Sequence, residues 1–165
     1  MDEIRLAFLG FGSANRALAR MLIDKSRSGP GGESDDSRLH LSIPVGHHGH
    51  TRLVPWRAVL IVTRRHGILA PPLGTLGDSA DGHWDIDLTS VLDRVESGNT
   101  IDCLPFSSMD EEELSRTTNF HLGKRGKDSP NILVEAIPSN PRGDGEPVIS
   151  IIRSALNNKL NVVSA

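Results

Sequence analysis

The sequence predicts an α/β domain, a parallel sheet covered by helices on both faces, and three observations carry that expectation. Ile4–Leu9, Trp56–Thr63 and Asn131–Ala136 are nearly continuous apolar runs. Runs without alternation belong to strands buried on both faces, as in a parallel sheet between helices. Helical periodicity follows the first and third runs. Gly10-Phe11-Gly12 joins the first run to its helix with no intervening loop, which is the strand–turn–helix opening of a nucleotide-binding unit. The expected architecture is a Rossmann-like, doubly wound parallel sheet.

The first strand, Ile4–Leu9, delivers the chain directly into Gly10-Phe11-Gly12-Ser13-Ala14-Asn15. Gly10 suits a sharp reversal that side chains resist. Gly12 lacks a Cβ, which leaves room for a pyrophosphate beside the main chain. The free N–H groups and positive dipole end of the next helix then attract the phosphates. The third position of the usual glycine pattern is Asn15, so helix–strand packing there must take a larger side chain, with Ala17 expected to keep the contact close. On the helix, Ala14, Leu18, Met21 and Leu22 make the expected inner stripe, with Arg16 and Arg20 off it.

Ser26–Pro55 is rich in Gly, Ser, Asp and His, with a short apolar interruption at Leu39–Val45. It is expected to be a mobile insertion. Within it, His47-His48-Gly49-His50 puts three imidazoles in four residues. They have no preorganised scaffold and no cysteine beside them, so they are read as surface histidines and no metal site is expected.

Trp56–Thr63 is the second buried strand. A domain that prefers NAD usually ends this strand near an Asp or Glu for the ribose 2′-hydroxyl. Here the end is Thr63-Arg64-Arg65-His66-Gly67. Two guanidinium groups stand where a 2′-phosphate would lie, and arginine pairs with phosphate bidentately. The expected cofactor is NADP(H), with NAD possible.

Asp87–Val95 reads as a short helix with Leu88, Val91, Leu92 and Val95 inward and Gly98 as its stop. Asp85 and Asp87 are expected as surface and N-cap groups. Ile101–Leu104 fits either a short strand or an extended connector. Ser108-Met109-Asp110-Glu111 has capping-box spacing for a helix ending near Arg116. Asn131–Ala136 is the third buried strand. It is followed by Ile137–Pro147, a helix with Val148, Ile151, Ile152, Ala155 and Leu156 inward, and a last strand at Leu160–Ser164. Glu135 is expected to be structural rather than catalytic, and Lys159 to be a cation at a helix C-terminus.

Composition bounds the function. The chain has 165 residues, the size of one domain, and a hydrophobic share of 37% counted without Gly, against a usual share of about 45–50% on a count that includes Gly. A net charge of −3 gives no electrostatic case for nucleic acid or an anionic membrane. A single cysteine, Cys103, makes neither an internal disulfide nor a cysteine-based zinc site by itself. A reducing compartment and a cytoplasmic location are expected, because Asp2 and Glu3 follow Met1 where a signal peptide would be basic. No apolar run approaches the roughly 20 residues of a membrane span.

With these segments in view, the chain resembles the homoserine dehydrogenases. The likeness rests on Ile4–Leu22, Trp56–Leu69 and above all Ile132–Ala165. It runs through Leu133-Val134-Glu135, Pro138-Ser139-Asn140, Gly145-Glu146-Pro147, Ala155-Leu156 and Val162-Val163-Ser164-Ala165, about half of the chain. The resemblance implies NAD(P)-dependent interconversion of L-homoserine and L-aspartate 4-semialdehyde, an oxidoreductase step of threonine, methionine and isoleucine biosynthesis. It also implies that Phe11, Gly12, Ser13, Ala14 and Asn15 contact the pyrophosphate. Arg64 would meet the adenosine ribose or its phosphate, and Ile137, Pro138 and Ser139 would line the nicotinamide ribose. Asn15, the long Ser26–Pro55 segment and the region after Gly98 depart from the family pattern.

The family's closing strand leads into an Ala-Asn-Lys motif, and this sequence reaches Ala165 before the Asn and Lys. Residues 1–165 are therefore expected to be the NAD(P)-binding domain without its substrate domain, inactive alone and prone to aggregate. The catalytic lysines and substrate-holding acids of the family would lie beyond Ala165, so no catalytic residue is assigned. Two alternatives stay open: a stand-alone NAD(P)-binding or sensing module, and another two-domain dehydrogenase such as an aspartate dehydrogenase.

Overall fold

A computed structural model describes residues 3–27, 39–45, 50–63, 67–69, 86–99, 131–137 and 148–164. In chain order the elements are β1 (Ile4–Leu9), α1 (Ser13–Arg27), β2 (Leu39–Val45), β3 (His50–Thr63), β4 (Gly67–Leu69), α2 (Leu88–Glu96), β5 (Asn131–Glu135), α3 (Val148–Asn157) and β6 (Asn161–Ser164). The strands form one six-stranded sheet of order β2-β3-β1-β5-β6, with β4 also paired to β3. The pairs β3–β1, β1–β5 and β5–β6 are parallel. This is the expected Rossmann-like α/β class.

Every residue of β1 is buried, which is why its sequence does not alternate. Its side chains serve two cores. Ile4, Leu6 and Phe8 meet Ala19 and Ile23 of α1 and Leu88, Val91 and Leu92 of α2. Ala7 and Leu9 meet Ile151 and Ala155 of α3 on the opposite face. Helices thus cover both faces, and the sheet is doubly wound. Between Leu6↔Ala58 and Ala7↔Leu60 the register slips, leaving Val59 without a β1 partner. The slip is a bulge that puts both Val59 and Leu60 in the α3-side core.

The α1 stripe needs correction. The buried residues are Asn15, Ala19, Ile23 and Ser26. Leu18 and Leu22 only flank them, Ala14 and Ala17 are exposed, and Met21 is 59% exposed. The inward line therefore lies one position from the expected one. It is set by how Asn15 enters beneath the turn and not by the bulkiest apolar residues. Ser26 sits inside because its hydroxyl accepts from Trp56 Nε1 at 2.7 Å and donates to the Leu22 carbonyl at 2.8 Å.

The mobile insertion at Ser26–Pro55 is corrected wherever it is described. α1 continues to Arg27, β2 occupies Leu39–Val45, and β3 begins at His50 instead of Trp56. β2 pairs antiparallel with the first half of β3, from Leu39↔Trp56 to Val45↔His50. Leu39, Leu41 and Ile43 face the α1-side core. Their spacing of two is the strand period, embedded in a segment whose composition is polar. His50 is exposed on β3, and His47 and His48 lie outside the described residues.

α2 matches its expectation closely. Asp87 caps it, accepting from the N–H groups of Thr89 and Ser90, and Gly98 follows its end with φ of +73°. Ser90 Oγ donates to the second Asp87 oxygen at 2.6 Å. These bonds, the Ser90 hydroxyl foremost, hold the Asp87 carboxyl below the usual carboxylate range. Arg20 of α1 pairs with Glu96 of α2 across the surface. In α3, Val148, Ile151 and Ala155 are buried, Ile152 is half-buried and Leu156 is exposed, so the inner face is narrower than expected. Lys159 closes α3 with φ of 60°. The Leu160 N–H reaches back to the Ala155 carbonyl at 3.0 Å and that of Lys159 to Leu156 at 2.9 Å, a left-handed helix ending. Asp85, Ile101–Leu104 and the helix expected from Ser108 lie outside the described residues.

Candidate functional site

The strand order fixes where a ligand would sit. From β1 the chain crosses through α1 to β3 on one side, and from β5 through α3 to β6 on the other. β1 and β5 are neighbours, so the winding changes direction between them. In open α/β sheets the ligand crevice opens at the carboxyl ends of the strands at such a switch point. Here those ends are Leu9-Gly10 and Glu135-Ala136-Ile137.

Gly10 stands in that crevice and is held from both sides. Its N–H donates to the Val62 carbonyl of β3 at 2.8 Å, while the Ala136 N–H donates to the Leu9 carbonyl at 2.9 Å. Its φ is +77°, and a Cβ there would lie 2.5 Å from the Ala136 carbonyl oxygen and 3.2 Å from Ile137 Cγ1. Both the conformation and the space require glycine. At Gly12 a Cβ would meet nothing within 4 Å. Among the described residues, Gly12 therefore has open space beside it at the N-terminus of α1.

Gly12, Ser13 and Ala14 are exposed. The first bond of α1 runs from the Arg16 N–H to the Gly12 carbonyl at 3.0 Å. The N–H groups of Ser13, Ala14 and Asn15 precede it, and as in any first helical turn they have no carbonyl within the helix. No acidic side chain of α1 lies in that turn. The first turn of α1 thus presents main-chain N–H groups at an exposed helix N-terminus, the arrangement that attracts anions in general.

Phe11 and Asn15 support the turn from behind. The Phe11 ring is buried and packs edge-on against Phe8, with centroids 5.7 Å apart and planes at 75°. Asn15 is 2% exposed, and its amide donates to the carbonyls of Gly10 at 2.5 Å and Leu9 at 3.3 Å. A side chain in place of the third glycine is accommodated because it turns inward and ties down the reversal. Neither side chain reaches the mouth of the crevice.

The remaining expected site residues divide. Thr63 is buried at the end of β3 and pairs with Gly67 of β4. Ile137 is half-buried at the end of β5. Arg64, Arg65, Pro138 and Ser139 lie outside the described residues, although Thr63 and Ile137 bring the chain to the carboxyl edge just before each pair. The structure thus gathers Gly10–Asn15, Thr63 and Ile137 along one edge. The role of Ser164 is not apparent from the sequence alone. Its hydroxyl donates to Glu135 Oε2 at 2.6 Å. The signal for it was positional, since Glu135 and Ser164 end adjacent parallel strands and stand in register.

No protein-family model matches the chain, and no curated protein matches it. The class that fold and crevice define is a doubly wound α/β domain with a glycine turn at its switch point. No helix among the described residues is long and apolar enough to cross a membrane.

Proposed function

We propose that the chain is the NADP-binding domain of a homoserine dehydrogenase-like oxidoreductase, serving the interconversion of L-homoserine and L-aspartate 4-semialdehyde. The observation that carries the nucleotide reading is the Gly10–Asn15 turn, locked between the carboxyl ends of β3 and β5 at the switch point. The pyrophosphate would rest on the first turn of α1, held by main-chain N–H groups. The adenosine half would extend toward the end of β3, where Arg64 and Arg65 follow Thr63, and a 2′-phosphate there would meet guanidinium groups. The nicotinamide half would extend over the ends of β5 and β6. The hydride chemistry belongs to the cofactor, and this domain binds and orients it.

The choice of substrate rests on the sequence resemblance, from Leu133-Val134-Glu135 to Val163-Ser164-Ala165. Both oxygens of Glu135 are engaged, by Ile137 N–H and Ser164 Oγ, which suits a structural role. This favours a binding and orienting role for the described residues. A dinucleotide-binding module without catalysis rests on the same crevice. The two separate on the gene sequence downstream of Ala165: an Asn-Lys continuation leading into a substrate domain supports the dehydrogenase, and an in-frame stop supports the binding module.

The test is calorimetric titration with NADPH and then NADH. NADPH is expected to bind more tightly, and Arg64→Ala with Arg65→Ala is expected to remove most of the preference. Equal affinity for the two cofactors refutes the role of the arginines. No binding of either refutes the nucleotide reading.

A further inference from the structure

We infer that Glu135 is a positioning residue for the nicotinamide half of the bound dinucleotide, acting through the main chain of Ile137 and braced by Ser164. The inference rests on the proposed dinucleotide reading and adds to it a residue that touches no cofactor itself.

Glu135 is the last residue of β5 and is 2% exposed. A carboxylate buried to that degree is costly unless its oxygens are satisfied, and here each oxygen has one partner. Oε1 accepts from the N–H of Ile137, two residues on, and Oε2 accepts from Ser164 Oγ at 2.6 Å. The first bond ties the chain leaving β5 to the side chain at the strand's own end. The second ties the same side chain to the end of β6, whose register places Ser164 directly opposite Glu135. The Ala136 N–H meanwhile donates to the Leu9 carbonyl. Three consecutive residues at the carboxyl edge are thereby fixed to three strands, Glu135 to β6, Ala136 to β1 and Ile137 to the Glu135 side chain.

The placement decides which half of a dinucleotide feels this brace. The glycine turn divides the crevice. Its β3 side belongs to the first mononucleotide unit and its β5–β6 side to the second. Ile137 lies on the second side, and its Cγ1 is 3.2 Å from where a Gly10 Cβ would stand, so a displaced Ile137 changes the wall beside the turn. The brace therefore sets the nicotinamide side and leaves the adenosine side to β3 and α1. An apolar residue at position 135 would fill the same space but provide neither acceptor.

The test compares two probes on the whole chain. NADPH spans both halves of the crevice, whereas adenosine 2′,5′-bisphosphate occupies only the adenosine half. Glu135→Ala is expected to weaken NADPH about tenfold, the scale of a lost hydrogen bond to a charged group, and to leave the bisphosphate within about twofold. Glu135→Gln keeps an acceptor for Ile137 and a polar partner for Ser164, and is expected to restore NADPH to within about threefold of the unaltered chain. Ser164→Ala is the milder variant, usable if Glu135→Ala does not fold, with an expected loss of about threefold for NADPH alone. Parallel loss of both probes, or unchanged NADPH affinity in Glu135→Ala and Ser164→Ala, overturns the inference. Failure of the unaltered chain to bind either probe overturns the dinucleotide reading itself, and this outcome is distinct because it needs no variant.

Discussion

Gly10→Ala is expected to damage the fold, whereas Gly12→Ala is expected to damage only binding. At Gly10 the substitution puts an alanine at φ of +77°, which costs an L-residue about 1–2 kcal/mol. The new Cβ lies 2.5 Å from the Ala136 oxygen. Relief to ordinary contact near 3.4 Å needs a movement of about 0.9 Å between the ends of β1 and β5. That movement strains the bonds from Gly10 N–H to Val62 and from Ala136 N–H to Leu9, now 2.8 and 2.9 Å, each contributing about 0.5–1.5 kcal/mol. The total is about 3 kcal/mol, or roughly 6–12 °C in the melting temperature of a domain this size. At Gly12 no neighbour among the described residues lies within 4 Å and φ is not left-handed, so stability should change by less than about 1 kcal/mol. The added methyl stands at the mouth of α1, and NADPH affinity should fall at least about tenfold. Thermal melts followed by circular dichroism, with NADPH titration of each variant, read both effects. A Gly10→Ala chain that melts within about 2 °C of the unaltered one refutes the account of the turn, as does a Gly12→Ala chain with undiminished affinity.

Asp87→Ala removes the α2 cap and should cost about 1 kcal/mol at neutral pH. Because the folded carboxyl titrates below its ordinary value of 3.8, the cap's contribution is complete above that value and fades as pH falls through the lower folded one. Urea unfolding should therefore show the gap between variant and parent closing in acid, and a gap that widens there contradicts the assignment. Ser26→Ala leaves the buried Trp56 indole N–H without its acceptor. It should lower stability by about 1–3 kcal/mol, and an unchanged urea midpoint speaks against the bond. Ile151→Ala empties a fully buried position between α3 and the sheet. A loss of about 2–5 kcal/mol is expected in the same assay, and a loss under about 1 kcal/mol would place α3 elsewhere.

The fold class was legible because burial on both faces leaves a simple trace. β1, the second half of β3, and β5 are apolar without alternation, and each became a parallel strand. α2 was legible because Asp87, its apolar spacing and Gly98 agree with one another. α1 was misplaced because hydrophobicity cannot announce a polar residue that turns inward. Asn15 is buried through hydrogen bonds to the Leu9 and Gly10 carbonyls, which are in place only once β1 and the turn have formed, and Ser26 through the Trp56 indole, which arrives only with β3. Met21 was misread for the converse reason, since a bulky apolar side chain at a helix surface needs no partner. The β2 strand was hidden by the average composition of Ser26–Pro55, although Leu39, Leu41 and Ile43 already carried the strand period. In the candidate site, the glycines were legible as backbone requirements. The link between Glu135 and Ser164 was not, because it depends on the register of two strands about 30 residues apart in sequence.

β3 belongs to two kinds of neighbour. Its first half closes a hairpin with β2 across a short connection, whereas its second half waits for β1, a partner some 50 residues earlier in the chain. Short loops close at little entropic cost and distant ones at more. The hairpin is therefore expected to be the early local nucleus, presenting an already ordered strand against which β1 docks. Pulsed hydrogen exchange during refolding should protect the amides of Leu41–Ile43 and Arg52–Val54 before those of Leu6–Phe8. The reverse order would mean that the central parallel pair assembles first and the hairpin only decorates it.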